Sequence, residues 1–421
     1  MTYRKAAAIK VISLILCAIM LLQTGLPVLA EDEYYEEYYE EEPVEDPHMP
    51  AYYEPALTDS LDLWPQAPAI EGKSAVVIDL QYGGILYAKN PDEKLYPASI
   101  TKVMTCLLAC ENLNMNDKFI MTESAAFGIE PGSSSIYADT DEVFTMEQAL
   151  MALMLESANE IALRIAELVS GNVKKFTELM NARAREIGCT NTHFNNPHGL
   201  PDVNHYTTAH DMALIAKEAW MNPLFRKFCT EDYYNIPPTN VQPETRYMKN
   251  HHNMMPGMSY AYDGVLGGKT GYTTAAGNTL VTYARRGEIR LAVVVLNSIA
   301  GAYGDTASLL DYSFDNFRKL NMKVPEDVDS IGNRFLPCEK YLIRNCGDVR
   351  PFYYLTRVYV MAPQTIGPKE IEVRKTHHVN AAGPDYNEVQ FLYQGNIVGN
   401  AIQYERNVLA DLLIDPSVGI E

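Results

Sequence analysis

Three short patterns in this 421-residue sequence could carry chemistry: Ser99-Ile100-Thr101-Lys102, Ser157-Ala158-Asn159 and Lys269-Thr270-Gly271. Three residues apart on a helix, Ser99 and Lys102 would hold a hydroxyl and an amine on one face, within hydrogen-bond reach. A serine at about pH 7 is a poor nucleophile and needs a base, and an amine can be that base only when neutral. Lys102 would be pushed toward the neutral form by a helix N-terminus, by partial burial and by a second lysine facing it. Ser157 with Glu160 reads as a helix N-cap. At such a corner Ser157 can also relay a proton between Lys102 and a leaving group, while the Asn159 amide holds a substrate carbonyl. No Gly-x-x-x-x-Gly-Lys spacing precedes Lys269, which argues against a phosphate loop and for a strand. There Gly271 would let a ligand approach the backbone, and an exposed strand edge can pair with an extended peptide. Lys269 and Thr270 would meet a carboxylate at that peptide's end.

The surrounding pattern supplies elements to position these groups. Ser74 to Leu80 and Ile85 to Ala88 are apolar runs about a Gln81-Tyr82-Gly83-Gly84 turn, which predicts an antiparallel hairpin. Pro97 precedes a helical pattern that starts at Ser99. Thr145 with Gln148 is a capping box opening a helix to about Leu155, and Thr208 with Asp211 is a looser acidic version. Asn278 to Ala284 and Ile289 to Asn297 return to strand character, and Thr306 to Leu320 predicts a closing helix. Strands at both ends with helices between give an α/β (α+β) fold, one antiparallel sheet flanked by helices. After Val324 the stretches Phe352 to Val360, Glu370 to Arg374 and Glu388 to Tyr404 predict a smaller β-rich C-terminal domain.

By average residue usage, Ser-x-x-Lys and Ser-x-Asn each arise about once by chance in a chain of this length, and Lys-Thr-Gly on the order of a tenth of a time. All three in this order resemble the active-site serine penicillin-binding enzymes. More narrowly, PASITKVMT, LMLESANEIAL, NNPHGLPDVNHYTTAHDMALIA and GGKTGYTTAAGNTLV are similar to the low-molecular-mass D-alanyl-D-alanine carboxypeptidases, over about residues 66 to 320. The resemblance implies a penicillin-binding/β-lactamase-like fold. It implies that Ser99 attacks the carbonyl between the terminal D-alanines of a peptidoglycan stem peptide and that water hydrolyses the acyl-enzyme. Lys102 would be the base, Ser157 the proton relay, Asn159 the binder of the substrate amide, and Lys269 with Thr270 the partners of the terminal carboxylate. The backbone N–H groups of Ser99 and Tyr272 would form the oxyanion hole beside Gly271. β-Lactams would acylate the same serine, and no cofactor or metal is implied. One departure stands out: family members carry an arginine ahead of the closing helix, where this chain reads Ala302-Tyr303-Gly304-Asp305.

Other classes fit less well. A net charge of −20 and no basic stretch beyond the first ten residues argue against nucleic-acid binding. A β-lactamase of the type using a loop glutamate needs a Glu-x-x-x-Asn that Phe194 to Asp211 lacks. The pairs His251-His252 and His377-His378, and the stretch His205 to His210, have no His-Glu-x-x-His arrangement. They read as loop or surface histidines rather than zinc ligands. From a different class, a catalytically silent peptidoglycan-binding module would share the same pocket.

The ends speak to location. Residues 1–30 carry Arg4 and Lys5, an apolar run from Val11 to Leu22 and Val28-Leu29-Ala30, the pattern of a secretory signal peptide. Residues 31–65 follow as an acidic Tyr/Pro-rich tether, with eleven acidic side chains between Glu31 and Ala56 and no Lys or Arg. The expected organisation is then a serine peptidase domain over 66–322 and the β-rich domain over 323–421, exported to the outer face of a bacterial membrane or to the cell wall. The last stretch, ERNVLADLLIDPSVGIE, carries one basic residue against four acidic, which argues against a membrane anchor there. Six cysteines remain beyond the signal, too few for a disulfide scaffold. Cys106 and Cys110 read as small buried residues, and Cys338 and Cys346 as the best candidates for a bridge.

Overall fold

The computed structural model describes residues 54–299, 301–322, 340–344, 348–352, 358–379 and 386–404. The signal over 1–30, the tether as far as Tyr53 and the pair Cys338 and Cys346 lie outside the described residues. β1 (Ser74–Asp79) and β2 (Ile85–Lys89) form the expected hairpin. A 3-10 turn at Ala98–Thr101 runs straight into α1 (Lys102–Asn112). β3 (Lys118–Ile120), α2 (Glu123–Ala126) and β4 (Val143–Thr145) lead to α3 (Met146–Leu155), α4 (Asn159–Ser170), α5 (Val173–Ile187), α6 (Ala209–Met221) and α7 (Pro223–Cys229). After the small hairpin β5 (Tyr233–Ile236) and β6 (Arg246–Lys249) come β7 (Val265–Thr273), β8 (Gly277–Arg286), β9 (Ile289–Ser298) and α8 (Ala302–Asn316). The strands β10 (Phe317–Met322), β11 (Lys340–Arg344), β12 (Asp348–Phe352), β13 (Val358–Pro363), β14 (Glu372–His378), β15 (Tyr386–Tyr393) and β16 (Asn396–Tyr404) follow.

The main sheet is antiparallel throughout, in the order β2-β1-β9-β8-β7. Its alternate residues serve two cores. Val76, Ile78, Val294 and Leu296 join one cluster with Leu107 of α1, Leu150 of α3, Ile161 of α4 and Ile215 of α6. Ala75, Val77, Val293 and Val295 join the other with Leu309 and Leu310 of α8. With both faces covered, these strands carry continuous apolar runs in place of an apolar/polar alternation. α1 is buried at every residue from Lys102 to Cys110, as befits a helix packed on all sides. Cys106 and Cys110 lie on it as buried free thiols. Thr145 and Gln148 make the predicted capping box: the hydroxyl accepts from the Gln148 amide at 3.2 Å and the Gln148 side chain accepts from the Thr145 amide at 2.8 Å.

Three details differ from the sequence reading. First, residues 54–65 are not all tether: Leu57–Ser60 form a 3-10 turn, and Leu61 and Trp64 are buried. Burial of the indole outweighs the acidic, proline-rich composition just upstream. Second, the closing helix begins at Ala302 and stops at Asn316. Residues 317–322 are instead β10, paired with β13, because Phe317, Leu320 and Met322 find apolar partners on that strand's side of the core. Third, the β-rich strands share the second core: Val358, Val360, Val389 and Phe391 pack in the same cluster as Val77 and Leu86. The Asn400 amide of β16 donates to the Tyr82 carbonyl in the first hairpin's turn at 2.6 Å.

Trp64 ties these parts together. Its ring meets Phe317 at 5.2 Å and Tyr393 at 5.8 Å, and Nε1 donates to the Leu86 carbonyl at 3.0 Å. Trp64→Ala should therefore lower the unfolding free energy by about 3–5 kcal/mol in urea titrations, the cost of an aromatic cavity. A loss below about 1 kcal/mol would show that the segment is only draped on the surface.

Candidate active site

The hydroxyl and the amine of the first pattern meet as α1 begins. Lys102 Nζ donates to Ser99 Oγ at 3.0 Å and to the His198 carbonyl at 2.7 Å. Lys102 is fully buried. Burial first, and then the nearby Lys269 charge, drive its amine well below the ordinary lysine range, against an opposing pull from Glu160. The sequence argument assigned the same direction.

The turn that carries Ser99 is held from two sides. The loop 195–200 passes beneath it, with Thr105 Oγ1 donating to the Pro197 carbonyl at 2.6 Å. Gly199 has φ +95°, and a Cβ there would fall 1.9 Å from the Ala98 carbonyl oxygen, so only glycine permits this approach. Ala98 itself is at φ +50°, a strained position in the residue before the nucleophile. On the other side Thr279 Oγ1 of β8 donates to the Pro97 carbonyl at 2.8 Å. His205 Nε2 shares a 2.8 Å hydrogen bond with Thr101 Oγ1, while its Nδ1 accepts from the Asn195 amide.

Of the histidines read as loop or surface residues, His205 and His252 do lie in loops but are not at the surface. His205 and His252 are fully enclosed and His198 nearly so. Desolvation lowers His205 and His252 to about 4 and His198 to about 3, so all three are neutral at pH 7. His252 bonds Thr282 on β8. Their work is structural.

Ser157 is not the cap that its spacing to Glu160 suggested. Ala158 occupies the N-cap position of α4, and Ser157 has φ +60°, a left-handed conformation that a serine adopts only at a cost. Its buried Oγ has no hydrogen-bond partner among the described residues. Glu160 turns instead to the 134–138 loop, accepting from Ser135 Oγ at 2.7 Å and the Ile136 amide at 2.8 Å. Asn159 donates its backbone N–H to the Ser134 carbonyl at 2.9 Å; its Oδ1 is buried without a partner among the described residues, and the side chain does not line the cleft.

Lys269, Thr270, Gly271 and Tyr272 lie on β7, the sheet's edge strand, as predicted. A cleft of about 320 Å³ opens between this edge and the Ser99 and Ser157 hydroxyls, with Thr270, Gly271 and Tyr272 along its wall. Lys269 is buried beneath it, donating to its neighbour's carbonyl at 2.8 Å. Burial pulls this amine down to about 7, with Glu156 resisting. A Cβ on Gly271 would lie 2.4 Å from Thr279 Oγ1 and 2.8 Å from the Ser99 amide nitrogen, so β7 presses directly on the nucleophile's backbone. The cleft also takes in Ser134, His251 and Tyr303, which no short motif marks. A serine hydroxyl bonded to a buried amine held well below the ordinary lysine range, a second hydroxyl and an edge strand at one cleft are an arrangement suited to acyl transfer on an extended peptide.

The family described as D-alanyl-D-alanine carboxypeptidase matches residues 63–300, more than half of the sequence. The chain belongs to this family. It is 35% identical over 256 residues to the D-alanyl-D-alanine carboxypeptidase DacF of Bacillus subtilis, covering 59% of this chain and 64% of that one. It is 32% identical over 258 residues to DacA of Haemophilus influenzae, covering 59% and 63%. The match thus spans slightly under two thirds of these relatives' length. Among solved structures, penicillin binding protein 5 from Haemophilus influenzae aligns with a TM-score of 0.62 at 25% identity, over 81% of this chain and 98% of that one. A D-alanyl-D-alanine carboxypeptidase from Mycobacterium tuberculosis aligns at 0.55 and 28% identity, over 61% and 95%. The wide coverage of the first extends the family likeness into the β-rich strands. The helix-flanked antiparallel sheet is therefore the penicillin-binding fold.

Two outcomes test this geometry. Gly271→Ala should slow acylation of Ser99 by roughly a hundredfold, as a misplacement near 1 Å does, measured as the rate of adduct formation with a fluorescent penicillin. The depressed Lys269 amine gives a pH signature. Above about 7 the folded chain has released a proton that the unfolded chain holds up to 10.5, so stability rises with pH across that window. Between pH 7 and 9 the wild type should gain roughly 2 kcal/mol relative to Lys269→Met in urea unfolding; parallel curves would refute the buried amine.

Proposed function

We propose that this protein is a serine-type D-alanyl-D-alanine carboxypeptidase that removes the terminal D-alanine of peptidoglycan stem peptides through an acyl-enzyme on Ser99. The observation that carries this reading is the 3.0 Å bond between a fully buried Lys102 amine and the Ser99 hydroxyl at the floor of the cleft. Neutral Lys102 takes the Ser99 proton as Oγ adds to the carbonyl of the penultimate D-alanine. The negative charge on that oxygen is held by the N–H groups of Ser99 and Tyr272. The amide C–N bond then breaks, and the proton passes through Ser157 to the departing amine. Water attacks the ester with Lys102 again as base, and Ser99 is regenerated. Asn159 orients the substrate amide, while Lys269 and Thr270 meet the terminal carboxylate. β-Lactams enter the same path and stop at the ester.

The same reading extends to the ends of the chain. Residues 1–30 direct export, residues 31–53 tether the body on the outer side of a bacterial membrane or in the wall, residues 54–322 form the peptidase domain with its N-terminal segment, and 323–421 a β-rich domain with a positioning role in cell-shape maintenance. A role as a silent peptidoglycan-binding module is the alternative, favoured only by the substitution of Ala302-Tyr303-Gly304-Asp305 for an arginine-bearing stretch.

Release of D-alanine from an N-acylated pentapeptide mimic decides between them. The wild type should turn over, and Ser99→Ala should lose at least about a thousandfold, with the penicillin adduct mapping to Ser99. Muropeptide binding without any D-alanine release would favour the binding module. Ser157→Ala removes a buried hydroxyl that has no partner among the described residues, so its melting temperature should hold or rise while turnover falls by about a hundredfold. A drop in stability with turnover intact would assign Ser157 a structural role instead.

A further inference from the structure

Of the side chains lining the cleft, His251 is the one able to take a positive charge; Lys102 and Lys269 are buried below the surface. Its ring is about half exposed and is not left to wander. Nε2 lies 3.2 Å from Glu156 Oε2, and Glu156 is itself fixed at the end of α3 by accepting from the Lys249 amide at 2.8 Å. The backbone is pinned as well, because Tyr303 Oη donates to the His251 carbonyl at 3.1 Å and the Tyr303 ring stacks on Tyr260 at 5.0 Å. Tyr303 stands at the start of α8, in the stretch where this chain has no arginine. The side chain that fills that place therefore clamps the histidine loop, and its hydroxyl is already engaged. With Nε2 turned to Glu156, Nδ1 is the ring nitrogen left to meet a ligand.

We propose that His251, oriented by Glu156, is a specificity-determining residue that binds the C-terminal carboxylate of the peptide from the α8 side of the cleft. This rests on the carboxypeptidase reading and adds to it the group that recognises the free acid in the absence of an arginine. Lys269 meets the carboxylate from β7 and His251 from beside the start of α8. A terminal amide, with no charge to meet, gains little from the histidine.

The test separates the two claims. In a Ser99→Ala background, binding of an N-acylated D-alanyl-D-alanine peptide is measured by calorimetry for the free acid and for its C-terminal amide. His251→Gln should weaken the free acid by about tenfold, the loss of one charge-assisted contact at a half-exposed site, and leave the amide essentially unchanged. His251→Arg should restore the preference for the acid. Equal weakening of acid and amide, or no change in either, would overturn the assignment. Failure of the wild type to release D-alanine would instead overturn the underlying reading, so the two failures are told apart.

Discussion

Everything at the site depends on keeping two lysine amines in one desolvated corner without a carboxylate bonded to either. Lys102 and Lys269 are each buried, burial disfavours the charge on both, and the Lys269 charge further disfavours a charge on Lys102. In water both would be protonated and Ser99 would have no base. The fold supplies the dry setting by enclosing α1 on all sides and laying β7 against the turn that precedes it. Glu156 and Glu160 are the nearby acids: Glu156 faces His251 and accepts from the Lys249 amide, and Glu160 gives its Oε1 to the 134–138 loop. They temper the lysines from a distance instead of neutralising them by contact.

The cost of this arrangement is spread over neighbouring backbone. Ala98 and Ser157, the residue before the nucleophile and the second hydroxyl, both sit at positive φ. Strain of this kind persists only where the surroundings over-determine it. Here they do: Pro97 is held by Thr279, Thr101 by His205, and the Ala98 carbonyl by the bare backbone of Gly199. The buried histidines belong to this scaffold, neutral and hydrogen-bonded, not to the chemistry.

Much of the fold was legible in the sequence because its signals are local. The hairpin turn at Gln81 to Gly84, the Thr145 and Gln148 box and the apolar runs of β8 and β9 each follow from a handful of adjacent residues. Where local signals compete, the sequence misleads. Ser157 and Glu160 have capping-box spacing, yet Glu160 is drawn to the Ser135 hydroxyl and the Ile136 amide, over twenty residues away in the chain. Phe317 to Met322 continue a helical pattern, yet pairing with Val358–Pro363 makes them a strand. Trp64 follows an acidic, proline-rich stretch but finds an apolar socket formed by Phe317 and Tyr393.

The sequence by itself determined the candidate set, Ser99, Lys102, Ser157, Asn159 and Lys269 to Tyr272, since the motifs bind residue type to spacing, and a three-residue spacing in a helical turn brings Ser99 to Lys102. It also determined that β7 would be a strand. Only the tertiary structure decided that His198, His205 and His252 are enclosed, and that Ser134, His251 and Tyr303 share the cleft. Those facts arise from contacts between segments separated by up to about two hundred residues, made when burial of apolar surface closes the two cores, and no local pattern encodes which distant groups such a closure brings together.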